Sequence, residues 1–185
     1  MLNDIYADAQ DRMDKALDSL ERDFRRLRTG RASVSLVDGI RAEYYGTPTQ
    51  LNQLATLTIP DPRTIMIQPW DTSIIGDVEK AILKSELGLT PMNDGKVIRI
   101  NIPPLTTERR RELVKVVKKM AEEAKVAVRN IRRDANEMIK DLKKDKEISE
   151  DEQFRAQEEM QKITDESIKR IDVAYSVKEK EILEI

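Results

Sequence analysis

The chain contains no cysteine and no histidine among its 185 residues. It can therefore form no disulfide and no Cys/His metal site, and it cannot carry a Ser-His-Asp or Cys-His catalytic group. No apolar run exceeds three residues, so the sequence predicts neither a transmembrane span nor a signal-peptide core. No phosphate-binding glycine-rich loop is present either. We expect a protein that binds a partner, without enzymatic activity and without a cofactor.

Aromatic residues are also scarce, with two Phe, one Trp and four Tyr. Charged residues make up 37% of the chain and hydrophobic residues 39%. This mixture favours long helices with narrow apolar seams over a thick globular core. All seven prolines lie between Pro48 and Pro104, so the flanking regions are free of this helix breaker.

Three segments have the apolar period of an amphipathic helix: residues 2–28, residues 106–145 and residues 149–185. Thr29-Gly30 is expected to end the first helix, with Gly30 in a left-handed conformation. Ser149 and Glu152 form a Ser-x-x-Glu capping box at the start of the third. Since no one of these helices can bury its apolar stripe alone, the sequence predicts a three-helix bundle.

The middle of the chain has the shorter rhythm of a β/α region. Strands are predicted at residues 40–45, 55–59, 64–68 and 97–102, and a helix at residues 73–87. The predicted fold is α+β: an elongated bundle of residues 1–29 and 105–185, with a small β/α/β domain of residues 30–104 inserted. Gly30, Pro103 and Pro104 occupy the two connections, where we expect a hinge between two arms.

Basic residues are concentrated in one of the predicted helices. Residues 109–133 contain ten Lys or Arg and three Glu, whereas residues 134–185 contain ten basic and sixteen acidic residues. Six of the basic residues share one helix face, nearly opposite the apolar stripe: Arg111, Lys115, Lys118, Lys125, Arg129 and Arg132. The pattern indicates a polyanion as partner, most plausibly nucleic acid.

The strongest local motif runs from Arg129 to Asn136, where Arg129 and Arg132 share a face and Arg133 flanks them. Arginine suits forked contacts to phosphate groups. The alternative is a solvated face with local Arg–Asp pairs. At the level of the whole protein, two alternatives stay open: a helical adaptor whose charges only solubilise it, and a general RNA- or DNA-binding protein.

Four motifs, in register over the whole chain, resemble the family of bacterial ribosome recycling factors. They are Arg28-Thr29-Gly30-Arg31-Ala32, Glu43-Tyr44-Tyr45-Gly46-Thr47-Pro48, Pro103-Pro104-Leu105-Thr106 and Val128-Arg129-Asn130-Ile131-Arg132-Arg133-Asp134-Ala135-Asn136.

The resemblance implies an L-shaped protein that binds the ribosomal RNA (rRNA) of the large ribosomal subunit after translation termination. Together with elongation factor G and GTP, such a protein splits the post-termination complex into subunits and releases mRNA and tRNA. The family pattern implies Arg132 as the foremost rRNA-contacting residue, supported by Arg129, Arg133, Arg28, Arg31 and Arg110. We expect a cytoplasmic monomer that does not bind membranes.

Overall fold

The computed structural model describes residues 1–184 of the protein, and two compact units divide them. The helical unit comprises Met1–Arg25 and Arg111–Glu184, and the β/α unit comprises Arg26–Arg110. The elements in chain order are α1 (Leu2–Arg26), β1 (Arg41–Tyr44), β2 (Thr47–Gln50), β3 (Ala55–Asp61), β4 (Thr64–Pro69), α2 (Ile75–Lys84), β5 (Pro91–Asn93), β6 (Ile98–Asn101), α3 (Thr107–Lys144) and α4 (Glu150–Leu183). None of these helices is long and apolar enough to span a membrane.

Polar contacts between side chains define how the three long helices of the helical unit pack. Lys125 of α3 contacts Asp172 of α4, and Arg132 of α3 contacts Gln161 of α4. Since the later residue of α3 contacts the earlier residue of α4, the two helices are antiparallel. Helix α1 runs parallel to α4, because Tyr6 lies near Glu159 and the later residue Asp14 lies 2.6 Å from Arg170. Burial raises the pKa of Tyr6, and the charge of Glu159 raises it further. An ion pair of 2.8 Å between Arg12 and Asp134 joins α1 to α3.

Apolar side chains at helical spacing form the core of this unit. The buried residues of α1 are Ala9, Met13, Leu17, Leu20 and Phe24. In α3, Ala121 and Val128 are buried, whereas the neighbouring apolar residues Met120, Ala124 and Ala127 are half-buried. The difference arises because α3 packs against two partner helices, so the buried surface spreads over a wider arc than one stripe.

Two polar residues of α4 also lie in this core, where an apolar pattern does not predict them. Thr164 is fully buried, and its hydroxyl donates to the backbone oxygen of Met160 at 2.7 Å. Ser167 is buried as well, and its hydroxyl oxygen has no partner among the described residues. A hydroxyl bonded to the preceding turn of its own helix can replace an apolar side chain in a helix interface.

The turn between α3 and α4 follows the predicted capping chemistry. The Ser149 hydroxyl accepts from the Glu152 amide at 3.2 Å, and the Glu152 carboxylate accepts from the Ser149 amide at 2.7 Å. The hydrogen bond from the Ser149 amide to the Glu152 carboxylate is the main cause that lowers the pKa of Glu152. Both partners satisfy amides that a helix start otherwise leaves without an acceptor.

Replacing Ser149 with Ala should lower the free energy of unfolding by about 1 kcal/mol, because the cap bond is lost. Urea denaturation measures the change. Ser176→Ala is the matched control, since Ser176 is exposed inside α4 and alanine suits a helix interior. Equal midpoints for the two variants would contradict a stabilising role for the capping box.

The β/α unit has a two-stranded hairpin and a four-stranded antiparallel sheet in the order β3-β4-β6-β5. The inner sheet face carries Ile65, Ile67, Ile98 and Ile100, all fully buried, and α2 closes this core with Val78 and Ile82. The α+β class and the three-helix bundle with a β/α insertion are confirmed. The domain boundaries at 29/30 and 104/105 stay a prediction.

Two short strands, β2 and β5, were not predicted from the sequence. The chain turns between β1 and β2 at Tyr45 and Gly46, whose φ angles are +49° and +80°. Thr47 and Pro48 already belong to β2. Proline is tolerated there because β2 pairs only with β1 and is an edge strand.

The segments through which the chain enters and leaves the β/α unit are both anchored on the β3–β4 turn. The amide of Ala32 donates to the Pro62 oxygen and the amide of Ile102 donates to the Arg63 oxygen, each at 2.7 Å. Gly30 is buried with φ +77°, and a Cβ there would meet Leu105 Cγ at 3.1 Å. Left-handed backbone and close contact both favour glycine at this position.

Gly30→Ala should therefore lower the free energy of unfolding by about 1–2 kcal/mol, the usual cost of a left-handed L-residue. Gly39→Ala is the control, because a Cβ at Gly39 meets nothing within 4 Å and its φ is not positive. Thermal unfolding of both variants measures the difference. A stable Gly30→Ala variant would show that the backbone there relaxes at little cost.

Candidate nucleic-acid interface

Helix α3 presents most of the predicted basic face to solvent. Arg111, Lys115 and Lys118 are exposed, in agreement with the pattern. Lys125 is different: its side chain is only 16% exposed, and its Nζ lies 2.5 Å from the Asp172 carboxylate of α4. The hydrogen bond to Asp172 raises the pKa of Lys125. Lys125 therefore joins two helices and is a poor candidate for a polyanion contact.

Arg132 is held in place without losing its charge. It is half-buried on α3, and its Nη1 donates to the Gln161 side-chain oxygen of α4 at 3.0 Å. Gln161 in turn donates to Asp165 at 2.8 Å. Since the direct partner of Arg132 is a neutral amide, the guanidinium is oriented and its remaining donors can meet an anion.

Arg129 and Arg133 lie beside Arg132 on α3, the first half-buried and the second exposed. No carboxylate of residues 1–184 forms an ion pair with either of them. The nearest acid in sequence, Asp134, is instead bound by Arg12 of α1 at 2.8 Å. The local Arg–Asp pairs of the alternative interpretation are thus not formed, and none of these three neighbouring arginines forms an ion pair with a carboxylate of residues 1–184.

The other three predicted arginines belong to the β/α unit. Arg28 is exposed, and its Nη1 donates to the Leu87 backbone oxygen at 3.3 Å, which links the segment after α1 to the loop after α2. Arg31 and Arg110 are half-buried, and the Nε atom of each is buried without an acceptor among the described residues. Packing therefore restricts these two side chains more than Arg28 or Arg133.

Sequence reasoning missed Gln161, which orients Arg132 from another helix. Glutamine carries no charge and 29 residues separate the pair, so only the antiparallel register of α3 and α4 reveals the contact. The predicted hinge residues lie in the β/α unit, with Gly30 buried and Pro103 and Pro104 exposed. Within residues 1–184, no group of acidic side chains is arranged to hold a metal ion.

Comparison with known proteins matches this chain to a family. The family model described as "Ribosome recycling factor" matches residues 20–183. The ribosome-recycling factor of Syntrophobacter fumaroxidans is 83% identical over 185 residues, covering 100% of both chains. That of Solidesulfovibrio magneticus is 63% identical over 181 residues, covering 98% of each chain.

Two solved structures are similar to this protein over all or nearly all of its length. A solution structure of a ribosome recycling factor has a TM-score of 0.78 at 47% identity and covers 100% of this chain and 98% of its own. A second structure describes models for the T. thermophilus ribosome recycling factor and the E. coli elongation factor G bound to the E. coli post-termination complex. Its matching chain has a TM-score of 0.67 at 50% identity, with 99% of each chain covered.

These similarities define the protein as a translation factor with a helical bundle and a small β/α unit. The chain belongs to the ribosome recycling factor family, and its function is ribosome recycling in protein biosynthesis. The family assignment made from four sequence motifs is confirmed.

Lys125→Met should lower the free energy of unfolding by about 1 kcal/mol at neutral pH, through loss of the α3–α4 ion pair. Because folding raises the pKa of Lys125, this contribution is fully present below the pKa that Lys125 has in the unfolded chain. It is lost as the pH rises through the pKa that Lys125 has in the folded protein. The stability difference between wild type and variant should therefore shrink at strongly alkaline pH. Lys118→Met, at an exposed position, is the control in chemical denaturation at both pH values.

Proposed function

We propose that the arginine surface on α3 binds rRNA of the large ribosomal subunit in the post-termination complex. With elongation factor G and GTP, the protein then splits that complex into subunits and releases mRNA and tRNA. The observation that carries the RNA contact is the triad Arg129, Arg132 and Arg133, which lies together on a rigid helix without a carboxylate partner among the described residues. A guanidinium group that is oriented as that of Arg132 is, with further arginines beside it, suits phosphate oxygens.

Arg132 is the leading contact of this proposal, because Gln161 fixes its position and leaves its charge in place. Arg129 and Arg133 extend the contact along α3. Arg28, Arg31 and Arg110 are supporting contacts, of which Arg28 is exposed and the other two are half-buried. An extended arginine surface with few aromatic residues supports recognition of RNA shape and phosphates in preference to base sequence.

In this mechanism the protein catalyses no reaction, and elongation factor G hydrolyses the GTP. The helical unit anchors on rRNA, while the β/α unit receives the push of the second factor. Gly30, Pro103 and Pro104 are proposed to form the hinge between these actions. The protein acts as a monomer in the cytoplasm, where it binds ribosomes.

Replacing Arg132 with Ala should weaken binding to large subunits about tenfold, since one phosphate contact by arginine contributes on this order. The slope of log affinity against log salt concentration should also fall by about 1, because one fewer counterion is released. Co-sedimentation with large subunits at several salt concentrations measures both quantities.

Arg155→Ala is the matched control, since it removes an exposed arginine from α4 of the same unit. It should leave affinity and salt slope near those of the wild type. Helicity by circular dichroism should be equal in all three proteins. An Arg132→Ala variant that binds large subunits normally would contradict the proposed surface and favour a helical adaptor whose charges only maintain solubility.

A further inference from the structure

A short chain of hydrogen bonds connects Arg132 of α3 to an acidic residue of α4. The Arg132 guanidinium donates from Nη1 to the Gln161 side-chain oxygen at 3.0 Å, and the Gln161 side-chain nitrogen donates to Asp165 at 2.8 Å. Gln161 and Asp165 are four residues apart, so they lie one turn from each other on the same face of α4. A negative charge is thus placed one side chain away from the leading RNA contact of the proposed function.

The chemistry of the two end groups determines how the Gln161 amide is turned. A guanidinium group only donates hydrogen bonds, and an ionised carboxylate only accepts them. A side-chain amide has an acceptor on one side and a donor on the other, so it joins the two groups in a single orientation. In the opposite orientation the amide nitrogen would face Arg132, and both hydrogen bonds would be lost. Asp165 therefore selects the orientation in which Gln161 accepts from Arg132.

An acid in this place has two opposing effects on RNA binding. Its charge repels phosphate groups, but Asp165 is exposed, and salt screens such repulsion over about 8 Å at physiological ionic strength. Its hydrogen bond to Gln161 acts through direct contact and restricts the Arg132 side chain. A side chain that is already ordered loses less entropy when it binds. The ordering effect is therefore expected to exceed the repulsion.

We propose that Asp165 is a positioning residue for RNA binding, because through Gln161 it holds the Arg132 guanidinium in the orientation that a phosphate group meets. The acid thus strengthens the binding of a polyanion despite its own negative charge. Phosphate oxygens contact the N–H donors of Arg132 that Gln161 leaves open. The proposal rests on the proposed function, in which Arg132 contacts rRNA.

Two substitutions of Asp165 separate its hydrogen bond from its charge. Asp165→Ala removes both, whereas Asp165→Asn removes the charge and keeps an oxygen that can accept from Gln161. Asp165→Ala should weaken binding to large subunits about threefold, because Arg132 loses its fixed orientation. Asp165→Asn should bind at least as tightly as the wild type. Co-sedimentation with large subunits at physiological salt concentration measures these affinities.

Glu166→Ala is the matched control, since it removes an exposed acid from the next position of α4. Successive helix residues point about 100° apart, so Glu166 lies on a different face from Asp165. This variant should bind large subunits at least as tightly as the wild type. If Asp165→Ala also binds equally or more tightly, Asp165 acts at most through its charge and the proposal is overturned. An equal loss of affinity in Asp165→Asn and Asp165→Ala overturns it too, because the charge and not the hydrogen bond would then be the cause.

A double variant tests whether Asp165 acts through Gln161. Gln161→Leu alone should weaken binding at least as much as Asp165→Ala. Once Gln161 is replaced, only the charge of Asp165 remains, so the further change Asp165→Ala should leave binding unchanged or strengthen it. Such strong non-additivity is expected of residues in one hydrogen-bond network. A further loss of affinity in the double variant would contradict the proposal, as would normal binding by Gln161→Leu.

Nuclear magnetic resonance relaxation of the Arg132 side-chain Nε–H group measures the positioning without the ribosome. Its order parameter should fall in Asp165→Ala and in Gln161→Leu, and it should keep the wild-type value in Asp165→Asn. Arg132→Lys identifies the signal, because that variant lacks it. An order parameter that Asp165→Ala leaves unchanged shows that Asp165 does not restrict the guanidinium, and it overturns the proposal.

The variant Arg132→Ala separates failure of this proposal from failure of the proposed function. Normal binding by Arg132→Ala overturns the proposed function, and the role of Asp165 in RNA binding with it. Weakened binding by Arg132→Ala together with normal binding by Asp165→Ala overturns only the role of Asp165. Thermal unfolding and circular dichroism verify that all variants fold.

Discussion

Each long helix of the helical unit must pack against two others, and this constraint decides which of its charges remain available for binding. Packing against two neighbours buries a wide arc of α3, so cations at the edge of that arc meet the neighbouring helices. Lys125 is drawn into an ion pair with Asp172, and Asp134 is drawn away from the arginines by Arg12. The interhelical contacts thus remove one cation from the basic face and protect three others from neutralisation. The result is a basic face with one lysine fewer than the charge pattern alone describes.

The sequence was sufficient for features that depend on local periodicity or local hydrogen bonding. The three helices, the capping box at Ser149 and the left-handed Gly30 follow from patterns a few residues long. Features that depend on contacts between distant segments were not accessible. The Gln161 partner of Arg132 and the buried Thr164 need the register of α3 against α4. The strand β5 was missed for a different reason, since three residues beside a turn signal give too little alternation to detect.

A neutral partner for Arg132 has a physical advantage over an acidic one. A carboxylate in the place of Gln161 would hold the guanidinium as firmly but would also neutralise it, and an incoming phosphate would have to compete with that ion pair. The amide oxygen fixes the orientation at a smaller electrostatic cost, while Asp165 holds the amide from its other side. The same logic applies to Arg28, which a backbone carbonyl orients without a charge.

The two compact units differ in the kind of surface that they offer. The helical unit carries its exposed cations on a helix, where long rigid spacing matches an extended array of phosphates. The β/α unit presents a tryptophan held by Thr56, two methionines and one arginine on the outer face of its four-stranded sheet. This sheet face has one cation, whereas binding of a polyanion depends on several. The cations that suit an extended polyanion therefore lie mainly on α3.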